Sequence, residues 1–255
     1  MAREARPAKD IVLELRSCPF EDIPAVSERY RTDARKAVQS ACATALRRYE
    51  KERRERTRVE AMYELERTLG GNGLILGVDE VGRGSVAGPL TVAAVALPAE
   101  PKIWGLNDSK QLTPEHREEL AARIAEVAVA IGMAHIAAES IDALGMHTAL
   151  RMAMKQAIDD AGVDPACVLI DGNPVHVHPR EKTLVKGDAR VAAIAAASIM
   201  AKVTRDHMMV AYDELYPGYH LAECKGYGSQ AHIEAIQRLG LSPIHRKSFC
   251  GNFLK

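Results

Sequence analysis

Apolar runs of strand length alternate with segments of helical periodicity through most of this 255-residue chain. Residues 74–78 and 90–97 form the first two runs, and we predict that they pair as a hairpin. Pro114 after Thr113 is a typical helix start, because the threonine hydroxyl caps the first turn and proline fits the first helical position. The elements predicted after the hairpin are a helix over residues 114–131, a strand over 133–138, a helix over 141–161, strands over 166–170 and 183–185, and helices over 189–215 and 233–239. This order predicts an α/β fold with a mixed β-sheet flanked by helices.

The N-terminal region differs in composition, being dense in Arg, Glu and Ala. Apolar positions recur at helical spacing over residues 37–46 and 59–69, which predicts helices there. The run 47–56 mixes both charge signs, which is typical of a solvated helix face, with a phosphate-binding arm as the alternative. Glycines cluster in residues 70–73 and indicate a linker. We therefore predict a helical N-terminal extension over residues 1–70 and a second domain over residues 71–255.

The balanced net charge of the chain excludes general electrostatic attraction of a polyanion. Lys plus Arg equals Asp plus Glu at 34 each, so nucleic acid must be bound by local patches. The five cysteines are scattered and include no closely spaced pair of the kind that zinc or redox sites need. No secretory signal is visible, and the longest apolar run, residues 191–201, is shorter than the roughly 20 residues of a membrane span. We expect a cytoplasmic monomer that has no membrane partner.

Acidic residues stand where predicted strands end. Asp79 and Glu80 follow the first strand, where nearby glycines predict a turn. Asp171 follows the run 166–170, and Asp188 lies between a short strand and the long helix. In a sheet protein these carboxylates can converge on one edge, and oxygen ligands without His or Cys suit Mg²⁺ or Mn²⁺ and phosphodiester hydrolysis. Each acidic residue taken singly also has an ordinary interpretation as a turn former or helix cap.

Two loops carry further candidates for substrate contact. The turn Gly82-Arg83-Gly84 lets backbone amides come close to a polar ligand, although a tight turn would need the same glycines. Asn107 and Lys110 lie in a loop just before the capped helix. Beside the acidic residues, the glycine turn indicates backbone groups that contact a ligand next to the metals.

The long predicted helix carries a polar stripe. Ser198, Lys202 and Arg205 follow i, i+4 and i+7 spacing, which places them on one helix face. Such a stripe is commonly a solvated face. Contact with substrate phosphates is the functional alternative.

A series of short motifs follows in order along the chain: Gly77-Val78-Asp79-Glu80-Val81-Gly82-Arg83-Gly84, Leu106-Asn107-Asp108-Ser109-Lys110, Ile170-Asp171-Gly172-Asn173, Lys186-Gly187-Asp188-Ala189-Arg190, residues 196–206, Lys225-Gly226-Tyr227-Gly228 and His245-Arg246-Lys247-Ser248-Phe249. Taken together, these motifs resemble the signature set of the type 2 ribonucleases H, the ribonuclease HII family, in that family's own order. The resemblance covers residues 74–249. It implies a ribonuclease H-like fold and a metal-dependent endonuclease that hydrolyses the RNA strand of RNA–DNA hybrids. It further implies nicking 5′ of ribonucleotides embedded in duplex DNA, leaving 3′-hydroxyl and 5′-phosphate ends, in ribonucleotide removal and RNA primer degradation.

The resemblance also implies roles for the matched residues. The backbone of Gly82-Arg83-Gly84 would recognise the 2′-hydroxyl at an RNA–DNA junction, and Tyr227 would stack on the sugar of the adjoining deoxynucleotide. Both roles fit the chemistry, because the 2′-hydroxyl distinguishes RNA from DNA and an aromatic face tolerates any sequence. The catalytic metal ions would be held by Asp79, Glu80, Asp171 and Asp188.

Asp206 is a rival for the fourth metal ligand. It lies about five helical turns beyond Asp188, or about 27 Å along a helix, so only one of the two can reach the metals. We choose Asp188 because it stands where the chain leaves a strand. Asp206 is then predicted to pair locally with an Arg or Lys.

Three alternative functions remain open at this point. Ribonuclease HIII shares the catalytic architecture but typically carries a strand-rich N-terminal domain, whereas residues 1–70 are predicted to be helical. That region is similar to the helical extension of some bacterial ribonucleases HII, most of all at residues 33–39. A hybrid-binding module without catalysis would not need all four carboxylates, and a phosphatase of small phosphomonoesters would not need Tyr227.

Overall fold

The computed structural model describes residues 6–254, so the first five residues of the predicted extension and Lys255 lie outside this description. The chain forms two compact units, Met1–Glu60 and Ala61–Lys255. Within residues 6–254, no helix combines the length and the apolar character that crossing a bilayer requires.

The first unit is helical and has a small apolar core. Its elements are α1 (Ala8–Ser17), α2 (Ile23–Arg29) and the first part of α3 (Lys36–Gly70). The centre of the core is formed by four almost completely buried side chains, those of Ile11, Leu15, Ile23 and Val38. The helical segments predicted over residues 37–46 and 59–69 belong to one continuous helix, α3.

The charged run in the middle of α3 is a solvated helix face with internal ion pairs. Arg53 pairs with Glu50 at 2.9 Å, and Arg56 pairs with Glu52 at 2.8 Å. These pairs have i, i+3 and i, i+4 spacing, which brings side chains together on a helix surface. The prediction of a helix face for this run is confirmed.

The second unit contains a mixed sheet with the strand order β3-β2-β1-β4-β5. Strands β1, β2 and β3 pair antiparallel, whereas β4 and β5 run parallel to β1. The predicted hairpin and mixed sheet are therefore confirmed. The strands are β1 (Ile75–Val81), β2 (Leu90–Ala96), β3 (Ala130–Ile136), β4 (Cys167–Asp171) and β5 (Glu181–Leu184).

Helices cover both faces of this sheet. One face packs against α6, and the other packs against α7 together with α4. The helices of the second unit after α3 are α4 (Pro114–Val127), α5 (Ala138–Leu144), α6 (Met146–Asp160), α7 (Ala192–Leu215), α8 (Leu221–Cys224), α9 (Gln230–Leu239) and α10 (Lys247–Cys250).

Several predicted boundaries were wrong. The strand predicted over residues 133–138 is β3, which begins at Ala130, inside the range predicted for the helix over residues 114–131, because its ladder with β2 starts at the pair Ala96 and Ala130. The first strand does not end before Asp79 and Glu80, because its ladder with β2 continues to the pair Val81 and Thr91. The chain turns only at Gly82, whose φ is +83°. The helix predicted over residues 141–161 is two helices, α5 and α6, because Gly145 between them adopts a φ of +76°.

Helix α7 lies unusually close to strand β1. A Cβ atom at Gly77 would lie 2.2 Å from the carbonyl carbon of Ala193, so only glycine fits this position of the strand. Helix α7 contains a run of small residues that includes Ala195, Ala196 and Ala197, which are all completely buried. Small residues on both sides bring the backbone of α7 next to β1.

A buried carboxylate caps the N-terminus of α7. Glu66, near the end of α3, is 6% exposed and accepts a hydrogen bond of 2.7 Å from the amide of Ala193. The first amides of a helix have no partner within it, and a carboxylate satisfies one of them. Burial raises the pKa of Glu66 to about 7, although the bond from Ala193 acts in the opposite direction.

The raised pKa of Glu66 predicts a stability that depends on pH. Folding favours the protonated form of Glu66. Its contribution to the free energy of unfolding is therefore complete below the ordinary pKa of 4.5 and is lost as pH rises through about 7. We expect Glu66→Gln to remove it, with the wild type losing on the order of 3 kcal/mol relative to the variant between pH 4.5 and 8. Chemical unfolding of both proteins across this range measures the difference, and parallel pH profiles would contradict it.

Candidate active site

The sheet places Asp79 and Asp171 side by side. Strands β1 and β4 are parallel, with Val78 opposite Ile170, so the residues that follow are neighbours at the carboxyl ends of both strands. Asp188 lies in the 3₁₀ turn Gly187–Ala189, just after β5 and before α7. The amide of Gly187 donates a hydrogen bond of 2.6 Å to Oδ1 of Asp171, which joins this turn to β4.

Burial and neighbouring negative charges raise the pKa values of Asp79 and Glu80. Asp79 is 5% exposed, and burial raises its pKa well above the ordinary range, with the charges of Glu80 and Asp171 adding to the effect. Burial also raises the pKa of Glu80, where Arg83 at 3.6 Å acts against the shift and Asp171 increases it. The carboxylates therefore lie within electrostatic reach of one another.

The pKa of Asp188 follows the same pattern. Burial raises it, and the charges of Asp108 and Asp171 raise it further, whereas Lys110 lowers it. Asp188 thus shares one electrostatic environment with Asp171, which in turn acts on Asp79. Like charges held together in this way favour proton uptake or a bound cation.

The side chains at the acidic edge supply the kind of donor atom that a divalent cation needs. Among residues 6–254, no group of three or more His, Cys, Asp or Glu side chains is gathered closely enough to hold an ion as it stands. The donors at this edge of the sheet are nevertheless all carboxylate oxygens, the type that Mg²⁺ and Mn²⁺ prefer. The chemistry of Asp79, Glu80, Asp171 and Asp188 therefore fits a divalent cation of this class.

Two hydroxyl groups connect α7 to the acidic edge. Ser198 donates a hydrogen bond to Asp79, and its Oγ lies 3.0 Å from Oγ of Ser109. Both serines are 4% exposed. Ser198 was predicted to contact substrate, but in the structure it orients a carboxylate.

The other two residues of the predicted stripe are also engaged within the protein. Lys202 pairs with Asp206 at 2.8 Å, which confirms the predicted local pairing of Asp206. Arg205 is fully buried and donates to the carbonyl oxygens of Pro89 and Lys225. The prediction that Arg205 contacts a phosphate is not supported by this position, because this part of α7 faces the protein interior.

The two glycines of the predicted binding turn have different surroundings. Gly82 has a φ of +83°, and a Cβ there would lie 2.3 Å from Nε of Arg205. Gly84 has no left-handed φ, and a Cβ there would meet no atom within 4 Å. The fold therefore requires glycine at residue 82 but leaves open space at residue 84, while the Arg83 side chain is 62% exposed.

Tyr227 lies on a loop that is hydrogen-bonded to the segment just after this turn. The carbonyl oxygen of Gly226 accepts hydrogen bonds from the amides of Val86 and Ala87 at 2.8 and 3.0 Å. Tyr227 itself is 39% exposed, and its ring centroid lies 5.6 Å from the guanidinium carbon of Arg205. An exposed aromatic face is thus held beside the glycine turn.

The loop with Asn107 and Lys110 contributes charge to the site. Lys110 is mostly exposed, with Nζ 3.9 Å from Asp108. Burial lowers the pKa of Lys110, but Asp108, Asp188 and Asp79 together raise it. Asn107 accepts a hydrogen bond from the amide of Asp108 and so stabilises its own turn.

Sequence reasoning missed Asp108 and Ser109 as site residues. Asp108 acts electrostatically on Asp188, and Ser109 contacts Ser198. Both stand inside the motif that supplied Asn107 and Lys110, so the motif itself was the available signal.

The chain is similar in sequence to proteins of one known family. The sequence model of ribonuclease HII matches residues 76–252, and that of the ribonuclease HII N-terminal domain matches residues 8–70. The chain is 45% identical over 219 residues to ribonuclease HII of Listeria monocytogenes serotype 4b, covering 85% of this chain and 84% of the relative. It is 42% identical over 247 residues to ribonuclease HII of Enterococcus faecalis, covering 95% and 97%.

Solved structures share the ribonuclease H-like fold. Ribonuclease HII of Archaeoglobus fulgidus, solved in complex with PCNA, aligns with a TM-score of 0.59 at 25% identity, covering 68% of this chain and 94% of that chain. Ribonuclease H2 of Pyrococcus horikoshii OT3 aligns with the same score and identity, covering 71% and 99%. Bst-RNase HIII in complex with Mn²⁺ aligns at 0.53 with 19% identity, covering 69% and 66%, and shows a shared fold alone.

Both the catalytic region and the N-terminal region thus match the same family, over most of the chain and most of each relative. The chain belongs to the ribonuclease HII family, a family of metal-dependent endonucleases with ribonuclease H activity.

Proposed function

We propose that this enzyme hydrolyses the RNA strand of RNA–DNA hybrids and nicks duplex DNA 5′ of embedded ribonucleotides, leaving 3′-hydroxyl and 5′-phosphate ends. The observation that carries the proposal is the placement of Asp79 and Asp171 on neighbouring parallel strands, with Asp188 in the turn whose Gly187 amide donates to Asp171. An acidic edge of this kind repels a phosphodiester unless cations neutralise it. Family membership supports the choice of substrate.

The four carboxylates Asp79, Glu80, Asp171 and Asp188 would hold Mg²⁺ or Mn²⁺. When bound, such ions would supply an activated water and stabilisation of the leaving oxygen. The protein's own contribution is orientation. Ser198 and the amide of Glu80 donate to Asp79, while the amide of Gly187 donates to Asp171. Such bonds fix the rotamers of ligating side chains.

The glycine turn and Tyr227 would recognise the sugars on the two sides of an RNA–DNA junction. The open space at Gly84 allows the backbone to approach a 2′-hydroxyl, the only group that distinguishes the two sugars locally. The exposed ring of Tyr227 offers a stacking face to the neighbouring deoxynucleotide. Arg83, Asn107 and Lys110 would contact the phosphate backbone from the surrounding loops.

We further propose that residues 1–70 form a helical extension and residues 71–255 the catalytic domain. The two family matches, over residues 8–70 and 76–252, support this division. The match of the N-terminal region also favours a type 2 enzyme over ribonuclease HIII.

A duplex with one embedded ribonucleotide tests the proposed function directly. We expect the wild type to nick it only with Mg²⁺ or Mn²⁺ present. We expect Asp79→Asn to be inactive, because one buried ligand loses its charge. Gel analysis of the products gives both the cut position and the end groups. Equal nicking by wild type and Asp79→Asn would contradict the proposal.

The fourth ligand can be tested by a matched pair of variants on the same substrate. We expect Asp188→Asn to reduce nicking activity by more than roughly 100-fold, which is the largest loss typical of residues that only hydrogen-bond to metal ligands. Asp206→Asn should lose about tenfold or less, since Asp206 pairs with Lys202. Isothermal titration with Mn²⁺ should show weaker metal binding for Asp188→Asn only. A larger loss for Asp206→Asn would reverse the assignment.

Gly84→Ala separates recognition from folding. The added methyl group meets no protein atom, so we expect an unchanged melting temperature. Activity on the single-ribonucleotide duplex should fall about 100-fold, as expected when a substrate is displaced by about 1 Å.

Gly251→Ala is the matched control for this variant. Gly251 also has open space around it and has an ordinary helical φ of −55°, but it lies outside the proposed site. We expect its activity to equal that of the wild type. Full activity of Gly84→Ala would show that no substrate atom approaches this glycine closely.

A further inference from the structure

Two arginines are completely buried beside the glycine turn. Arg205 and Arg246 are both 0% exposed. Among residues 6–254, neither has a carboxylate within ion-pair distance. A buried guanidinium without a counter-ion is costly unless its donors are satisfied by hydrogen bonds. Their acceptors therefore indicate what these arginines hold in place.

Arg246 holds both ends of the glycine loop, which we define as residues 82–89. Its Nη1 donates to the carbonyl oxygen of Arg83 at 3.1 Å, and its Nε and Nη2 donate to that of Gly88 at 3.1 and 2.9 Å. Its own amide donates to the carbonyl oxygen of Val86 at 2.8 Å. One residue from the C-terminal region thus fixes three points of the loop around Gly84.

Arg205 joins the same loop to the segment that carries Tyr227. Its Nη2 donates to Oγ of Ser85 at 2.8 Å, and Ser85 in turn donates to the carbonyl oxygen of Gly82 at 2.8 Å. Its Nη1 donates to the carbonyl oxygen of Lys225 at 2.7 Å, two residues before Tyr227. The guanidinium also lies beneath the ring of Tyr227.

We propose that Arg205 and Arg246 are positioning residues that fix the spacing between Gly84 and Tyr227, and that this spacing sets selectivity for a ribonucleotide followed by a deoxynucleotide. The inference rests on the proposed function. The two loops would contact sugars one nucleotide apart, so the distance between the loops must match that step closely. A long hybrid has a 2′-hydroxyl at every residue of its RNA strand and depends less on this match.

The test compares a single-ribonucleotide duplex with a long RNA–DNA hybrid. Arg246→Lys keeps the charge but cannot span Arg83 and Gly88 with a planar fork. We expect its kcat/KM to fall about 100-fold on the single-ribonucleotide duplex and about tenfold or less on the hybrid. Ser85→Ala breaks the link from Arg205 to Gly82. It should shift the ratio of kcat/KM on the single-ribonucleotide duplex to kcat/KM on the hybrid in the same direction by a smaller factor. Mn²⁺ affinity should stay at the wild-type value in both.

Arg48→Lys is the matched control, because Arg48 also donates to backbone carbonyl oxygens, those of Leu15, Arg16 and Cys18 in the first unit. Its substrate ratio should equal that of the wild type. An unchanged ratio in Ser85→Ala, or equal losses on both substrates in Arg246→Lys, would overturn the inference. If Arg246→Lys does not fold, Ser85→Ala alone decides. A wild type that fails to nick the single-ribonucleotide duplex would instead refute the proposed function.

Discussion

The close packing of α7 on β1 is the constraint on which the rest of the site depends. Gly77 lacks the Cβ that would collide with Ala193, and the buried alanines of α7 let the two backbones meet. The contact brings Ser198 to Asp79 and places Asp188 at the start of the helix. Two turns beyond Ser198, Arg205 reaches Gly82. A single helix therefore aligns the acidic edge with the glycine loop.

This arrangement concentrates charge that the fold does not neutralise. Burial raises the pKa of Asp79 and of Glu80 on β1, and the charge of Asp171 on β4 raises both further. Arg205 and Arg246 are buried nearby, and burial lowers the pKa of both. Folding such groups costs free energy, which the surrounding apolar clusters must offset. Hydrogen bonds from Ser198 to Asp79 and from the amide of Gly187 to Asp171 nevertheless orient these carboxylates before any ligand binds.

Periodicity predicted the sheet well because strand and helix patterns differ in repeat length. It identified the hairpin and the order of elements, and it placed Asp171 at the end of a strand. It was wrong at Asp79 and Glu80, because the glycines that follow suggested an earlier turn than the ladder with β2 allows. It also joined α5 to α6, since the pattern alone does not show that Gly145 takes a left-handed conformation.

Side-chain direction limited the prediction of the site more than motif content did. The spacing of Ser198, Lys202 and Arg205 correctly indicates one helix face, but it does not say whether that face meets solvent or protein. Arg246 gave no signal of its role, because its acceptors are backbone carbonyl oxygens that any residue can supply. The role of a buried arginine of this kind can be recognised only from the tertiary structure, which shows the loops that it joins.

The turn Gly82-Arg83-Gly84 shows how one motif can carry two different requirements. Gly82 is required by the protein, because its positive φ and the contact with Arg205 leave no room for a side chain. No protein atom near Gly84 imposes such a requirement. If packing alone selected glycine, residue 84 would tolerate alanine, so a requirement for glycine there must come from a bound partner. Of the two glycines, only Gly82 is therefore explained by the fold alone.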